Sequence, residues 1–458
     1  MDFKEHFAEK LEMIQGYIQD GRFLKVREEL VNLDAVDIEM VFDEIPRESV
    51  LRVFRMLPKT LAADTFSYMK SDMQQYIIES VTDLEMNCIL DEMYMDDTVD
   101  FLEEMPANVV KRVLKNADAK TRNTINQLLR YPEGSAGSIM TTEFVELKKE
   151  MMVKDALSHI RATGVDSETI NTCYVIDSAR KLEGAVSIRK IILSASDTLI
   201  SEIMTSEVKH LHTADDRETG AYRFKKYDLL SMPVVDAENR LVGIITIDDI
   251  VDVIEQETTE DIELMAAITP TDKPYIETNA VGTFKKRIFW LLILMLSATF
   301  TGGVLSSYES SLALYPALVS FIPMLMGAGG NAGGQTSVAV IRSLALNEIS
   351  FSDTCKILWK ELLVSLLCGA VMGIVCFFKV LLIDARFVTG VDAMAALVVS
   401  LAIFLTIVIA KLVGGFLPLL AKRVGFDPAV MASPFITTVV DALALIVYFN
   451  IAKAILGL

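Results

Sequence analysis

The sequence predicts a multidomain chain partly embedded in a membrane. An all-α helical-repeat region (1–132) comes first, followed by a tandemly duplicated α/β module (133–258, divided as 133–198 and 199–258). A long connecting helix (259–283) then leads into an all-α bundle of five transmembrane helices (284–458). Three observations carry this. Charge is segregated: 31 Lys and Arg stand against 54 Asp and Glu up to Gly282, but 12 against 8 from Thr283 onward, within a net charge of −19. A pattern of about sixty residues occurs twice in succession before the connecting helix. Finally, five apolar segments follow Thr283, each near or above the roughly 20 residues that a bilayer crossing needs. With 52% hydrophobic residues and a mean hydropathy of +0.39, the chain is too apolar to average as one soluble globule.

The first thirty residues are charged throughout (Lys4, Glu5, Glu9, Lys10, Glu12, Asp20, Arg22). They lack the apolar core of a cleavable signal, which places the N-terminus in the cytosol. Up to about Arg130 short amphipathic stretches are punctuated by Pro46, Pro58 and Pro106, the pattern of stacked helix pairs. The cysteines (Cys88, Cys173, Cys355, Cys368, Cys376) show no metal-ligand spacing and read as reduced thiols. Four histidines leave little material for a zinc site.

In the duplicated module, Ser138-Ile-Met-Thr-Thr returns as Glu202-Ile-Met-Thr-Ser, and the run from Tyr174 to Ile191 returns from Pro233 to Ile250. Each copy reads as strand, Gly-containing turn, strand and capped helix. Eight carboxylates then fall between Asp248 and Glu263 without a Lys or Arg, a self-repelling helical face. Asp216, Glu218 and Asp228 in the second repeat, and Asp96, Asp97 and Asp100 in the helical region, are further unbalanced groups. An acidic helix can simply be solvated. Where such faces meet across domains, hard divalent cations that retain waters relieve the repulsion.

The expected spans are Ile288 to Ser307, Leu312 to Ile341, Ile357 to Ile383, Ala393 to Leu420 and Ala429 to Leu456. Lys285, Lys286, Arg287, Arg342, Lys356, Lys360, Lys422 and Arg423 all flank loops on one side. The positive-inside rule therefore puts the N-terminal half in the cytosol and the C-terminus outside. Asp441 is the outlier, an ionisable group near the middle of the last span, after Pro434, Thr437 and Thr438. Either it serves an ion path or it is a protonated acid bonded to a neighbouring helix. Glu361 lies closer to the boundary and reads as an interfacial partner of Lys360. The stretch from Pro323 to Gln335 holds Gly327 and two Gly-Gly pairs, with Asn331 and Gln335 on one helical face. Small-residue packing accounts for the glycines but not for the two amides, whose burial would be costly.

The duplicated motif resembles a tandem CBS pair, a regulatory module that senses adenosine nucleotides or ions. With the Pro323 to Gln335 stretch and the run from Asp427 to Asp441, nearly the whole chain resembles the MgtE family of magnesium channels and transporters. The resemblance implies a homodimer in the cell membrane, with a pore lined by the second and fifth spans and Asp441 as the central acid. It implies pore-lining roles for Gly327, Asn331, Gln335, Pro434 and Thr437. It also implies cytosolic Mg2+ sites among Asp96, Asp100, Gly137, Asp216, Glu218, Asp228, Asp249, Asp252, Glu257, Glu260, Asp261 and Asp427. Here Lys225 and Lys226 stand beside Asp228, and the first repeat carries Lys148, Lys149 and Lys154, so no metal is assigned to it.

The expected function is Mg2+-selective, channel-like transport that closes when cytosolic Mg2+ bridges the acid clusters; whether the CBS pair also takes ATP stays open. Two other readings stay open: a proton-coupled secondary transporter of divalent metals working through Asp441, and a membrane-anchored nucleotide sensor. An enzyme is not expected, for no Walker loop, nucleophile elbow or paired His ligand set appears. Nucleic acid is not an expected partner.

Overall fold

The computed structural model describes residues 3–271, 275–276, 278–431 and 433–457. The chain groups into two units, Met1–Ile254 and Glu255–Leu458. In the first, the helical region contains α1 (Phe3–Gln19), α2 (Phe23–Leu30), α3 (Ala35–Asp43), α4 (Arg47–Phe54), α5 (Lys59–Tyr68), α6 (Ser71–Ser80), α7 (Asp83–Leu90), α8 (Met95–Glu104), α9 (Ala107–Asn116) and α10 (Ala119–Leu128). Prolines start these helices rather than interrupt them. Pro46, Pro58 and Pro106 each precede the first helical residue of α4, α5 and α9, where a missing N–H does no harm. Alternate helices touch, α3 on α5, α5 on α7 and α7 on α9, as a stack of helix pairs requires. Arg112 ties two layers together, donating to the carbonyls of Ile78 (2.6 Å) and Val81 (2.8 Å) while pairing with Asp83. One apolar core runs through the stack from Ile14 to Ile125.

The duplicated module follows as β1 (Phe144–Leu147), α11 (Val153–Thr163), β2 (Thr169–Ile176), β3 (Leu182–Ser187), α12 (Ile188–Leu193) and α13 (Ile200–Ile203). The second copy is β4 (Leu211–His212), α14 (Arg217–Tyr227), β5 (Ser231–Val235), β6 (Leu241–Thr246) and α15 (Ile247–Met265). Each copy forms a three-stranded sheet, with one parallel and one antiparallel pairing in the same order. The repeated Ile-Met-Thr segments are exchanged between copies. Thr141 pairs with Ile244 on β6, and Thr205 pairs with Ala185 on β3. This exchange is why β3 and β6 each carry a Gly, placed in the strand rather than in the turn the sequence suggested: a Cβ at Gly243 would stand 2.7 Å from Thr141 O, and one at Gly184 2.8 Å from Met204 Sδ. Tyr174 and Ser231 join the two sheets through a buried 2.8 Å hydrogen bond.

The helix expected over 259–283 is placed differently. α15 already starts at Ile247 and stops at Met265, where Ala267 turns to φ 55° and Pro270 follows. Asn279 then caps α16 (Ala280–Ser307), accepting from Gly282 N at 2.7 Å.

The second unit continues with α17 (Glu309–Leu314), α18 (Ile322–Ala345), α19 (Thr354–Leu382), α20 (Ala393–Val424) and α21 (Ser433–Leu456). Among the described residues four helical stretches are long and apolar enough to cross a membrane: Ala280–Ser307, Phe351–Arg386, Ala393–Val424 and Pro428–Leu456. The expected second span falls instead on a 3₁₀ turn, Pro316–Phe321, and on α18. Glycines, Asn331, Gln335, Thr336 and Ser337 make α18 more polar than a helix facing lipid alone. It packs against α20 and α21, and the backbones come so close that a Cβ at Gly414 would lie 2.3 Å from Gly333 O. Gly414→Ala is therefore expected to lower the thermal midpoint of the detergent-solubilised protein through overpacking of about 1–3 kcal/mol. Gly302→Ala, where a Cβ meets nothing within 4 Å, should not lower it.

Candidate ion pathway and acidic clusters

α18 has two unlike faces. Pro323, Gly327, Asn331 and Gln335, spaced four apart, are exposed along one side. The opposite side is packed: a Cβ at Gly329 would stand 2.8 Å from Thr406 and Val440, one at Gly330 3.0 Å from Thr437, and one at Gly333 2.8 Å from Ile436. The glycines and the amides thus answer two separate needs, except that Gly327 lies on the open side with nothing within 4 Å of its added Cβ.

On α21, Asp441 is half-buried, and its Oδ1 is shut off from solvent with no hydrogen-bond partner among the described residues. Pro434 and Thr437 are half-buried on the same helix. Thr438 is turned to structural use, donating to Pro434 O (3.2 Å) and accepting from Ser297 (3.4 Å). Glu361 does not pair with Lys360 among the described residues. It accepts from Thr336 Oγ1 at 2.9 Å, because the roughly 100° step from the exposed Lys360 turns it toward the neighbouring helix.

In the first unit α8 brings Asp96, Asp97 and Asp100 against Asp248 and Asp249 at the start of α15, and Glu168 and Glu143 of the first repeat join them. Burial first, then the neighbouring negative charges, pushes Asp97 and Asp249 up to about 6, Asp100 to about 7 and Glu168 to about 8. Asp96 rises well above the usual carboxylate range for the same reasons. Thr246 Oγ1, donating to Asp249 at 2.7 Å, offsets part of its rise. Asp252 is exposed one turn along α15.

In the second unit Asp261 is lifted to about 6 by burial and by Asp427, Glu257 and Glu260, with Lys422 opposing. Leu264 and Met265 pack on Ile341 and Ala429, and Asp427 Oδ1 accepts from Ala429 N at 2.7 Å. Asp427 thus lies close enough to Asp261 for their charges to act on one another.

Other expected ligands stand apart from these clusters. Gly137 and Asp216 are near one another through the Ser135–Asp216 bridge, but Asp216 is the cap of α14, accepting from Glu218 N at 2.8 Å. Gly137 is required by packing, since a Cβ there would lie 2.7 Å from the Tyr131 ring. Glu218 is exposed, and Asp228 ends α14 in a left-handed conformation, φ 50°. Conversely, Glu143 and Glu168 were not singled out by the sequence. They meet because β1 and β2 run parallel, with Glu168 N donating to Glu143 O at 2.9 Å, and no local motif signals that pairing. Asp97 and Asp248 could have been added from the acidic runs alone. Among the described residues no three His, Cys, Asp or Glu side chains form a ready-made metal shell. An all-carboxylate set at such spacing fits a hard divalent ion that keeps its waters.

A helical-repeat region and a paired α/β module ahead of an apolar bundle, with a polar stripe and a half-buried acid inside it, are the parts of a membrane cation transporter. The profile described as a divalent cation transporter, MgtE, matches residues 322–451, that of the MgtE intracellular N domain matches 33–134, and CBS domain profiles match 136–197 and 200–256. The chain is 34% identical over 447 residues to the magnesium transporter MgtE of Thermus thermophilus, covering 97% of this chain and 98% of that protein. It is 30% identical over 437 residues to that of Bacillus subtilis, covering 95% of each. The crystal structure of the cytosolic domain of the Mg2+ channel MgtE in complex with ATP superposes with a TM-score of 0.51 at 34% identity, covering 53% of this chain and 99% of that one. The soluble part of a magnesium transporter gives 0.52 at 28%, covering 55% and 99%. The chain belongs to the MgtE family and is a multi-pass membrane protein with a cytosolic N domain.

The raised carboxyl groups give a signed pH dependence. Unfolded Asp and Glu titrate near about 4, so the folded chain binds more protons above that pH. The stability these groups contribute is present below about pH 4 and lost as pH rises through about 6 to 8. In chelator, the thermal midpoint of the full-length protein should fall between about pH 5 and pH 8.5. Asp97→Asn combined with Asp249→Asn should flatten the profile; a wild-type profile that is already flat would contradict the cluster.

Proposed function

We propose that this chain is a Mg2+-selective, channel-like pathway across the cytoplasmic membrane, driven by the ion's electrochemical gradient and closed by cytosolic Mg2+ at the acid clusters. One observation carries the proposal: a carboxylate oxygen of Asp441 lies within an apolar helix, sealed from solvent and unpartnered among the described residues. Such a group is expensive in a bilayer unless a polar path reaches it. Mg2+ sheds water reluctantly, so one carboxylate with amides such as Asn331 and Gln335 can select the hydrated ion without a protein cage. In this reading α18 also crosses the membrane, as the second of five spans, the C-terminus is outside, and two copies of the chain line the pore with α18 and α21, including Gly327, Pro434 and Thr437. The printed names of the relatives, magnesium transporters and a Mg2+ channel, support the choice of ion. The ATP complex of the related cytosolic domain supports ATP as a ligand of the CBS pair.

Regulation follows from the clusters. A bound divalent cation supplies the positive charge that the carboxylates lack. Without it Asp96, Asp97, Asp100, Asp248, Asp249 and Glu168 repel across α8 and α15, as do Asp261 and Asp427, and the contacts between these elements loosen. Gly137, Asp216, Glu218, Asp228, Asp252, Glu257 and Glu260 are the further ligands proposed, reached through water or through movement.

In a magnesium-starved host, the intact chain should restore growth and Asp441→Ala should reduce uptake to the host background. Rescue by Asp441→Ala would remove the proposal. The combined change Asp249→Asn, Asp252→Asn, Glu257→Gln should leave uptake active at high internal Mg2+, and unchanged inhibition would count against the sensor. Uptake into proteoliposomes should follow the Mg2+ gradient and the voltage; uptake that follows an imposed pH gradient instead would favour proton coupling.

A further inference from the structure

The bundle holds ionisable groups that the pathway above does not use. Lys411, past the middle of α20, is only 7% exposed, although an ammonium in an apolar helix is costly to keep from water. Its Nζ donates to Thr336 Oγ1 on α18 at 3.4 Å, and that hydroxyl donates to Glu361 Oε2 on α19 at 2.9 Å. Thr336 is itself buried. A hydroxyl has one proton to give and lone pairs to accept with, so one threonine can stand between a cation and an anion and satisfy both. Three helices are thereby tied through one buried oxygen. Gly415 lies beside this group, where an added Cβ would be in ordinary contact with Thr336 Cγ2 (3.5 Å) and Glu361 Cγ (3.6 Å).

Thr336 immediately follows Gln335. On a helix, neighbouring residues point about 100° apart, and here Gln335 is exposed while Thr336 faces inward. Any rotation of α18 that carries Asn331 and Gln335 off their open side must pull Thr336 away from Lys411 and Glu361. Losing the half-buried Glu361 leaves the buried Lys411 ammonium uncompensated, and losing Lys411 leaves Glu361 with a hydroxyl donor alone, whereas removing both charges together leaves neither.

We infer that Lys411, Thr336 and Glu361 form a charge-compensated clasp that sets the rotation of α18 and so positions Asn331 and Gln335 for the passing ion. This rests on the conduction reading above. Lys411 and Glu361 are positioning residues and do not touch the ion.

The test uses the full-length protein in detergent and in proteoliposomes, reading the thermal midpoint and the KM and maximal rate of Mg2+ uptake. Lys411→Met and Glu361→Gln should each lower the midpoint and reduce maximal uptake more than about tenfold, whereas the double variant should return to within about threefold of wild type. Thr336→Val, which keeps the shape and removes the hydroxyl, should shift KM, and Thr336→Ser should restore it. Losses in the double variant that equal the two single losses combined would overturn the clasp. Coupling in the midpoint with unaltered uptake kinetics in every single variant would overturn its positioning role. Asp441→Ala is measured alongside. If uptake survives that change, the conduction reading fails and the positioning role with it, while the coupling of midpoints between 411 and 361 still reports the clasp independently.

Discussion

A carboxylate taken out of water raises the free energy of a folded chain unless some charge or donor reaches it, and this protein holds such groups in several places. One set lies between α8 and α15, where burial and mutual repulsion lift Asp97, Asp100, Asp249 and Glu168. Another lies where Asp261 meets Asp427. Asp441 is the third, within the bundle. Glu361 is the informative contrast, since its Thr336 donor backed by the buried Lys411 shows what a half-buried acid looks like when the fold itself provides the compensation. The other acids have no such cation at hand, and under the proposed function their compensation arrives from outside the chain.

Close backbone approach is the second recurring device. In the duplicated module, Gly184 and Gly243 admit the exchanged Ile-Met-Thr segments, which bind each repeat to the other's last strand. That exchange makes the two repeats one body, so a bias at the start of α15 in the second repeat is felt by Glu168 in the first. In the bundle, Gly333 and Gly414 bring α18 and α20 nearly into backbone contact. Without a hydrophobic drive between helices in lipid, such contact carries much of the association. It also frees the other side of α18 to stay polar.

Much of this was legible in the sequence. The helical stack, the duplication and the apolar bundle each follow from a local period or repeat, and Asp441 stood out because an acid in a long apolar run has no ordinary explanation. What was illegible depended on distant parts of the chain. Glu143 and Glu168 meet only because two strands run parallel. Glu361 looked like a partner for Lys360 because sequence shows neighbours along the chain but not the inward turn that brings it to Thr336. The connecting helix was misjudged in extent, since acidic residues from Asp248 onward hide the fact that the repeat's last helix simply continues. The residues from Pro323 to Gln335 divide into a packed glycine face and an exposed face with the two amides, and composition alone could not separate them.

The number of clusters matters as much as their chemistry. Moving a two-state equilibrium from 1:99 to 99:1 takes about 5.5 kcal/mol of differential binding. A weak site at ten times its dissociation constant contributes RT ln 11, about 1.4 kcal/mol. Roughly four sites of that strength are then needed to switch a pathway fully. One chain offers the cluster between α8 and α15 and the cluster at Asp261 and Asp427, and the proposed homodimer doubles them to that number. Weak carboxylate sites would be inadequate singly, yet their weakness is what sets the response near the free Mg2+ level of a cell instead of far below it. Loss of one cluster from both chains would leave about half the free energy, giving a shallow response rather than an absent one.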